Sequence, residues 1–298
     1  MKKVNLIATL SAFLLSGCSS TGLFLLNSSL KIASDHSVTK NLQFGDQPWQ
    51  KLDIYSPHAQ TKSNDKPVLI FFYGGSWDSG RKEMYYFIAD AFVRRGYVVV
   101  IPDYLKYPEA RFPVFIEDGA AAIAWTKQNI KQHGGNSDHI FVAGHSAGAH
   151  LGGMLATDSQ YLEKHGLTPL DIKGFSGLAG PYNFTPTRPS LVEIFGPEEN
   201  YPRMQTMNFV DGDEPQMLLL HGEKDDIVGV KNQEILVEKL NAIGNSSKAI
   251  LYPKLTHISI LLSIIPWLQR DSSTLEDMDQ FFKGLITKDL ARLQNDAP

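Results

Sequence analysis

The chain contains 298 residues, 43% of them hydrophobic and 20% charged, which is typical of a globular protein with a sizeable buried core. Lysine and arginine number 28 against 32 aspartates and glutamates, so the formal net charge is -4. The sequence carries no basic block, and this charge balance excludes the electrostatic footprint of a nucleic-acid-binding protein. We expect one main domain and no nucleic-acid partner.

The N-terminus has the pattern of a secretory signal. Lys2 and Lys3 precede an apolar stretch over residues 4–15, which is too short to span a bilayer. Residues 15–18, Leu-Ser-Gly-Cys, resemble the lipobox of bacterial lipoproteins. This resemblance implies a signal peptide over residues 1–17 and a lipid on Cys18. The alternative is an ordinary signal peptide cleaved nearby, with Cys18 discarded.

Cys18 is the only cysteine, so the chain forms no internal disulfide, and lipidation gives this thiol a role. The several acyl chains of a lipoprotein cysteine would hold the protein firmly at a membrane. Ser19 and Ser20 resemble the sorting signal for the outer membrane of enteric bacteria. We therefore expect a lipid-anchored protein of the bacterial cell envelope, on the periplasmic side of the outer membrane, with a tether over residues 18–40.

From residue 41 to residue 298, short apolar runs alternate with longer helical patterns. This alternation predicts an α/β domain in which a mostly parallel, twisted sheet has helices on both faces. The predicted strands are residues 67–73, 97–102, 139–144, 172–178, 216–222 and 248–253. The predicted helices between them are residues 84–95, 113–132, 147–157 and 231–242. Residues 181–215 are irregular and rich in proline, which indicates an inserted lid or pocket wall.

A strand-to-helix turn provides the candidate nucleophile. Residues 144–148, Gly-His-Ser-Ala-Gly, fit the pattern G-x-S-x-G between an apolar strand and an apolar helix. The turn of such a nucleophile elbow is so sharp that larger side chains would collide at Gly144 and Gly148. It also lifts the Oγ atom of Ser146 above the sheet. The alternative is a glycine-rich turn with no chemistry.

A serine hydroxyl needs a histidine to accept its proton and a carboxylate to orient that histidine. After an elbow of this kind, the acid follows a late strand and the histidine follows the last strand. His257 is the only histidine after position 221, and it comes after the last predicted strand. Asp225 and Asp226 both follow the strand at 216–222. The spacing His-Gly-x-x-Asp-x-x-Val favours Asp225, Asp226 stays open as the alternative, and His221 is expected to support the acid loop through a hydrogen bond.

The glycine-rich loop after the first predicted strand, residues 73–76, has two interpretations. A phosphate-binding loop would follow the pattern G-x-x-x-x-G-K-[ST], but here the lysine comes one position late and no serine or threonine follows it. An oxyanion hole fits better, because the loop after an early strand and the residue after the nucleophile supply its N–H groups. We predict that these donors belong to Gly75, Ser76 and Ala147.

The sequence resembles the bacterial α/β-hydrolase esterases related to carboxylesterases, feruloyl esterases and arylformamidases. Four segments carry the resemblance, namely FFYGGSW at 71–77, PDYLKYPEARFP at 102–113, GHSAGAH at 144–150 and HGEKDDIV at 221–228. It implies the α/β-hydrolase fold and gives Ser146, Asp225 and His257 the positions of a catalytic triad. The three predicted N–H donors match the oxyanion positions of the family. Tyr73 replaces the usual leading histidine and Ser76 the third glycine, and neither change removes a backbone donor.

The implied reaction is acyl transfer from a small-molecule ester to water through an acyl-enzyme on Ser146, without a metal or cofactor. Candidate pocket residues are Trp77, Tyr104, Tyr182 and Phe195, each of which fits the core equally well. The apolar run at 258–268 is too short to span a bilayer and fits a buried helix or a lipid-facing surface. The alternatives in other classes are an arylformamidase-type amide hydrolase, a non-catalytic hydrolase-fold scaffold and a serine peptidase. A peptidase of this kind normally carries a large gating domain, for which the chain has no room.

Overall fold

A computed structural model describes residues 36–58, 65–269 and 272–295, together with Asn27 and Leu30. The predicted signal peptide and Cys18 lie outside the described residues. Within the described ranges, no helix combines the length and the apolar character that crossing a membrane requires.

A twisted sheet forms the centre of the described part of the chain. Its strands are β1 (His36–Gln43), β2 (Lys51–Pro57), β3 (Lys66–Phe72), β4 (Val98–Pro102), β5 (Gly135–His145), β6 (Gly174–Leu178), β7 (Met217–Gly222) and β8 (Lys248–Tyr252). They lie in the order β1-β2-β4-β3-β5-β6-β7-β8. β2 is antiparallel to both β1 and β4, and every later pair is parallel. The six predicted strands are confirmed to within four residues at either end.

The first two strands, β1 and β2, were not predicted, because neither is a continuous apolar run. β1 is an edge strand with the sequence HSVTKNLQ, and none of its residues is fully buried. β2 is buried at its centre, but this centre includes Asp53, whose carboxylate binds the N–H of Asn41 at 2.8 Å and lies 3.4 Å from the ammonium of Lys82. Such strands lack the apolar signal of a parallel strand that is covered on both faces.

The tether predicted over residues 18–40 is wrong for residues 36–40, which belong to β1. Further upstream, Asn27 is buried against the main domain. Its side chain donates to the carbonyl of Met84 at 2.8 Å and accepts from the N–H of Phe87 at 3.1 Å. These bonds attach Asn27 to the first helix of the domain.

The helices of the described chain are α1 (Tyr86–Val93), α2 (Val114–Asn129), α3 (Ala147–Thr157), α4 (Ser159–Glu163), α5 (Pro189–Phe195), α6 (Lys231–Ala242), α7 (Ser259–Leu262) and α8 (Thr274–Asn295). Two of them, α3 and α6, have the predicted bounds. Short 3-10 turns extend several of the others, as at Lys82–Tyr85 before α1. Because β4, β6 and β7 are buried at every residue, helices must cover both faces of the sheet.

The carboxyl ends of the parallel strands meet at one edge of the sheet, and the loops that leave this edge carry the candidate site residues. The glycine-rich loop follows β3, Ser146 follows β5, Asp225 follows β7 and His257 follows β8. Ligands of open α/β sheets bind at this edge, because the connections that leave it are free to form a crevice.

The apolar run at 258–268 forms α7 and a 3-10 turn at Pro266–Leu268. Ile260, Ile264 and Ile265 of this run are buried, as expected of a core helix, whereas Trp267 is 48% exposed. The segment between β6 and β7 contains α5 and two 3-10 helices, Glu198–Met204 and Thr206–Phe209.

Candidate active site

Ser146 occupies a strained turn between β5 and α3. Its φ and ψ angles are 53° and -121°, outside the regions that residues with a Cβ atom ordinarily adopt. A Cβ atom on Gly144 would lie 2.3 Å from the carbonyl oxygen of Gly148, and one on Gly148 would lie 2.1 Å from the carbonyl oxygen of Phe72. The N–H of Ser146 donates to the carbonyl of Leu178 on the neighbouring strand at 2.9 Å. The two glycines and this bond hold the elbow in its conformation.

Three predicted site residues form one hydrogen-bonded chain. The Oγ atom of Ser146 lies 2.9 Å from Nε2 of His257, and Nδ1 of His257 lies 2.8 Å from Oδ2 of Asp225. The side chain of Asp225 has no exposed surface, and that of His257 is 5% exposed. Asp226, the alternative acid, is exposed and lines the mouth of the adjoining cavity. The structure therefore brings Asp225, and not Asp226, to the histidine.

The Asp225 carboxylate accepts three hydrogen bonds, and the ring of His221 lies against it as well. Its Oδ1 atom accepts from the N–H groups of Ile227 at 2.9 Å and Val228 at 2.8 Å, and its Oδ2 atom faces the ring nitrogens of His257 and His221. Burial raises the pKa of Asp225, but the hydrogen bonds from His221, His257 and Val228 lower it more. Its net pKa therefore lies well below the ordinary range for aspartate. The group is a permanent carboxylate at any physiological pH.

His145 contacts the main chain of His257. Its Nε2 atom lies 2.8 Å from the carbonyl oxygen of His257, and the two rings are 4.8 Å apart. Burial, reinforced by the charge of His257, lowers the pKa of His145 to about 3. The ring is therefore neutral near pH 7 and donates its Nε2 proton to that carbonyl. No sequence signal marks this role of His145, because only the fold brings it to a residue far along the chain.

The glycine-rich loop after β3, which carries two of the three predicted oxyanion donors, has an unusual backbone conformation. Gly75, Ser76 and Trp77 have φ angles of 133°, 50° and 60°, all in the left-handed region that residues with a Cβ atom rarely adopt. In the described structure, the N–H groups of Gly75, Ser76 and Ala147 donate to no protein acceptor. The loop also approaches the elbow closely, since a Cβ atom on Gly74 would lie 3.1 Å from Cβ of Ser146. Three unused donors thus lie beside the candidate nucleophile.

The peptide planes of these donors are fixed through their carbonyl oxygens, which point away from the N–H groups. Tyr85 donates its hydroxyl to the carbonyl of Gly74 at 3.3 Å. The carbonyl of Gly75 accepts from the N–H and the hydroxyl of Ser79, each at 2.9 Å. The carbonyl of Ser146 accepts from the first turn of α3. Tyr85 and Ser79 were not predicted as site residues, because no motif marks a residue that orients a peptide group through its carbonyl oxygen.

A cavity of about 450 Å³ opens beside Ser146. Its walls include Ser76 and Trp77 from the oxyanion loop, Phe184 and Arg188 from the segment before α5, and Ile227 from the acid loop. Of the predicted pocket residues, only Trp77 lines this cavity.

The other three predicted pocket residues, Tyr104, Tyr182 and Phe195, are core residues instead. Tyr104 donates its hydroxyl to the carbonyl of Tyr73 at 2.8 Å, and Phe195 packs edge-on against Trp77 with ring centroids 4.8 Å apart. Tyr182 is fully buried. Among the described side chains, no three His, Cys, Asp or Glu residues group in a way that could hold a metal ion.

Comparison with known proteins places these features in a family. A model of the BD-FAE family matches residues 52–240, more than half of the chain. The matched range includes the glycine-rich loop, the elbow and the acid loop, and it ends before His257.

The curated relatives include several esterases. Isoprenylcysteine alpha-carbonyl methylesterase ICME of Arabidopsis thaliana is 27% identical over 249 residues, which cover 76% of this chain and 57% of that protein. Esterase LipC of Mycobacterium tuberculosis is 30% identical over 226 residues, which cover 70% of this chain and 56% of that protein. The chain thus spans a little over half the length of these relatives.

Solved structures share the fold at low sequence identity. A truncated carbohydrate esterase from gut microbiota superposes with a TM-score of 0.72 at 22% identity, over 85% of this chain and 98% of that chain. Esterase B from Lactobacillus rhamnosis gives a TM-score of 0.72 at 19% identity, over 99% of each chain. These likenesses confirm the predicted α/β-hydrolase fold. The family match over residues 52–240 shows that this chain, which has the α/β-hydrolase fold, belongs to the BD-FAE family.

Proposed function

We propose that this protein is a serine hydrolase of carboxylic esters. Ser146 is the nucleophile, His257 the general base and Asp225 the carboxylate that orients the base. The observation that carries the proposal is the hydrogen-bonded path from Ser146 through His257 to Asp225, beside three unused backbone donors and an open cavity. The esterase names of the relatives agree with this assignment.

The geometry supports acyl transfer in two steps. As the Oγ atom of Ser146 attacks the ester carbonyl, its proton passes to Nε2 of His257, and Asp225 stabilises the imidazolium that forms. The N–H groups of Gly75, Ser76 and Ala147 bind the negative oxygen of the tetrahedral intermediate. His257 then returns the proton to the departing alcohol oxygen. In the second step His257 takes a proton from water, the hydroxide attacks the acyl-enzyme, and a carboxylic acid is released as Ser146 regains its proton.

The cavity favours a compact acyl or aryl group over a long chain. Trp77 stacks on Phe184 with ring centroids 5.6 Å apart and an interplanar angle of 12°, which forms one flat aromatic wall. Behind Trp77, the buried Phe195 closes the space. The volume of about 450 Å³ lies toward the lower end of the range for small-molecule sites and suits a small ester. We infer that short-chain or aromatic esters are better substrates than long-chain lipids.

Hydrolysis of p-nitrophenyl esters from acetyl to decanoyl by the detergent-solubilised full chain tests the proposal. We expect Ser146→Ala to lower kcat by roughly a factor of 10³ or more, as removal of a triad member does elsewhere. Ser176→Ala is a matched control, because Ser176 is a buried serine on the neighbouring strand whose hydroxyl donates only to the carbonyl of Leu218 at 3.1 Å. Near wild-type turnover by Ser146→Ala would contradict the mechanism. Serine-dependent cleavage of an aromatic formamide without ester cleavage would favour the amide-hydrolase alternative.

We also propose that the enzyme is anchored to the bacterial envelope through lipid on Cys18, on the periplasmic side of the outer membrane. The lipobox pattern at residues 15–18 and the absence of any other cysteine support this proposal. Metabolic labelling with a radioactive fatty acid, followed by separation of inner and outer membranes, tests both the lipid and the location.

A further inference from the structure

A second histidine contacts the candidate catalytic acid. His221 lies near the end of β7, and its side chain has no exposed surface. Its Nε2 atom is 3.0 Å from Oδ2 of Asp225 and 2.9 Å from the carbonyl oxygen of Val228. His221 lies outside the lining of the cavity beside Ser146, so a bound ester has no direct contact with it there.

The contacts of His221 determine which nitrogen carries its proton. Nε2 faces two acceptors, the Asp225 carboxylate and the Val228 carbonyl, and must therefore carry a hydrogen. Nδ1 is buried and has no hydrogen-bond partner among the described residues. Protonation of Nδ1 would bury an N–H group without an acceptor, which is costly. Nε2 is therefore the nitrogen through which His221 acts as a donor.

Two imidazoles share one carboxylate oxygen of Asp225. Nδ1 of His257 lies 2.8 Å from Oδ2, and Nε2 of His221 lies 3.0 Å from the same atom. The other oxygen, Oδ1, is held by the N–H groups of Ile227 and Val228 on the acid loop. Without His221, all remaining donors except His257 would come from the acid loop itself. His221 is thus the link between the carboxylate and the rigid strand β7.

We propose that His221 is a positioning residue that fixes the Asp225 carboxylate toward His257 and shares its negative charge. This inference rests on the proposed esterase function. The fixed carboxylate keeps His257 in the orientation that places Nε2 against Ser146. Because the N–H group of His221 also interacts with Oδ2, less of the negative charge on this oxygen is available to stabilise the protonated form of His257.

The test compares His221→Phe, which removes both ring nitrogens, with His221→Gln, whose amide N–H can replace the Nε2 donor. In His221→Phe we expect kcat for p-nitrophenyl acetate to fall about tenfold or more, the order of effect of losing one hydrogen bond to a charged group. KM should change little, and the acidic limb of the kcat/KM profile should move to higher pH. His221→Gln should restore most of kcat and return the acidic limb toward its wild-type position.

A matched control is His150→Phe. His150 is also fully buried and its Nε2 donates to a main-chain carbonyl, that of Met204 at 2.8 Å, but it does not contact Asp225 or His257. We expect His150→Phe to lower the melting temperature without moving the acidic limb. The proposal would be overturned if His221→Phe also lowered the melting temperature without moving the acidic limb. It would equally be overturned if a folded His221→Gln restored neither kcat nor the position of the acidic limb. If His221→Phe does not fold, His221→Asn serves in its place, because its amide is too short to reach Oδ2.

A second readout does not depend on turnover. The proton between Nδ1 of His257 and Asp225 gives a far-downfield NMR resonance when the bond is short and rigid. We expect this resonance in the wild type, its broadening in His221→Phe and its return in His221→Gln. Unchanged resonances in all variants would overturn the inference, whereas failure of the wild type to cleave any ester in a Ser146-dependent way would overturn the proposed function instead.

Discussion

Replacing Gly74 by alanine changes the position of the oxyanion donors without removing any of them. Gly74 does not have a positive φ angle, so its backbone accepts an alanine. The new Cβ atom, however, would lie 2.9 Å from the carbonyl oxygen of His145, 3.0 Å from Nδ1 of the same residue and 3.1 Å from Cβ of Ser146. All three atoms belong to the elbow, and one of them is backbone. The loop must therefore move away from the nucleophile.

The size of the movement sets the expected loss. Ordinary van der Waals contact begins at 3.4 Å, whereas the new Cβ atom would lie 2.9 Å from the carbonyl oxygen of His145. The loop must therefore move away from the elbow by about 0.5 Å. The N–H groups of Gly75 and Ser76 follow directly and would shift by a similar amount. A misplacement of about 1 Å costs on the order of 100-fold in rate, and loss of one oxyanion donor costs 10²–10³-fold. We expect kcat of Gly74→Ala to fall roughly 10- to 100-fold, with KM changing much less.

Steady-state kinetics with p-nitrophenyl acetate, together with thermal unfolding, decide the outcome. Gly284→Ala is the control, because Gly284 lies within α8 and a Cβ atom there would meet nothing within 4 Å. We expect unchanged kinetics and a stability gain of up to about 1 kcal/mol, the preference of a helix for alanine over glycine. A folded Gly74→Ala variant with kcat within about threefold of the wild type would refute the close approach of the loop to the elbow.

Two further predictions concern stability and anchoring. Burial lowers the pKa of His145 to about 3 and that of His150 to about 4. Both rings therefore stay neutral in the folded protein, whereas in the unfolded chain they bind protons once the pH falls below the ordinary histidine pKa. The free energy of unfolding should therefore fall with decreasing pH, by roughly 2 to 3 kcal/mol between about pH 6 and pH 5, and His150→Gln should remove about half of that slope. Urea titrations at a series of pH values measure it, and a flat dependence would contradict the neutral assignment. Cys18→Ala should abolish fatty-acid labelling and release the protein from the membrane fraction, and labelling that persists in this variant would exclude the lipobox cysteine.

Two histidines outside the candidate triad contact its members. His145 donates its N–H group to the main chain of His257. His221 donates its N–H group to the carbonyl of Val228, and the Asp225 carboxylate lies 3.0 Å from the same nitrogen. His145, which is neutral near pH 7, orients its partner without adding a charge that would compete with the imidazolium formed at His257. The charge of the site therefore stays concentrated on Asp225 and, during turnover, on His257.

The amino-acid sequence by itself determined the parallel part of the sheet and the chemical core of the site. Strands covered on both faces must be largely apolar, so β3 to β7 are visible as apolar runs, and the edge strand β8 is visible from its short run of residues 249–252. The elbow is a local device, since the sharp turn at Ser146 requires glycine at fixed offsets, and His257 follows from chain order because no other histidine comes after position 221. The strands and the elbow depend only on residues close together in the chain, whereas His257 depends on its order in the chain after the elbow and the acid loop.

The tertiary structure alone decided which residues surround that core. Tyr104, Tyr182 and Phe195 lie in the core although an aromatic residue of the pocket wall would look the same in sequence. Tyr85 contacts Gly74, and His145 contacts His257. Both contacts join segments that are separated along the chain and that meet only at the edge of the sheet from which the loops leave. Local sequence encodes turns and periodicity, whereas such contacts depend on how the packed sheet places one loop against another.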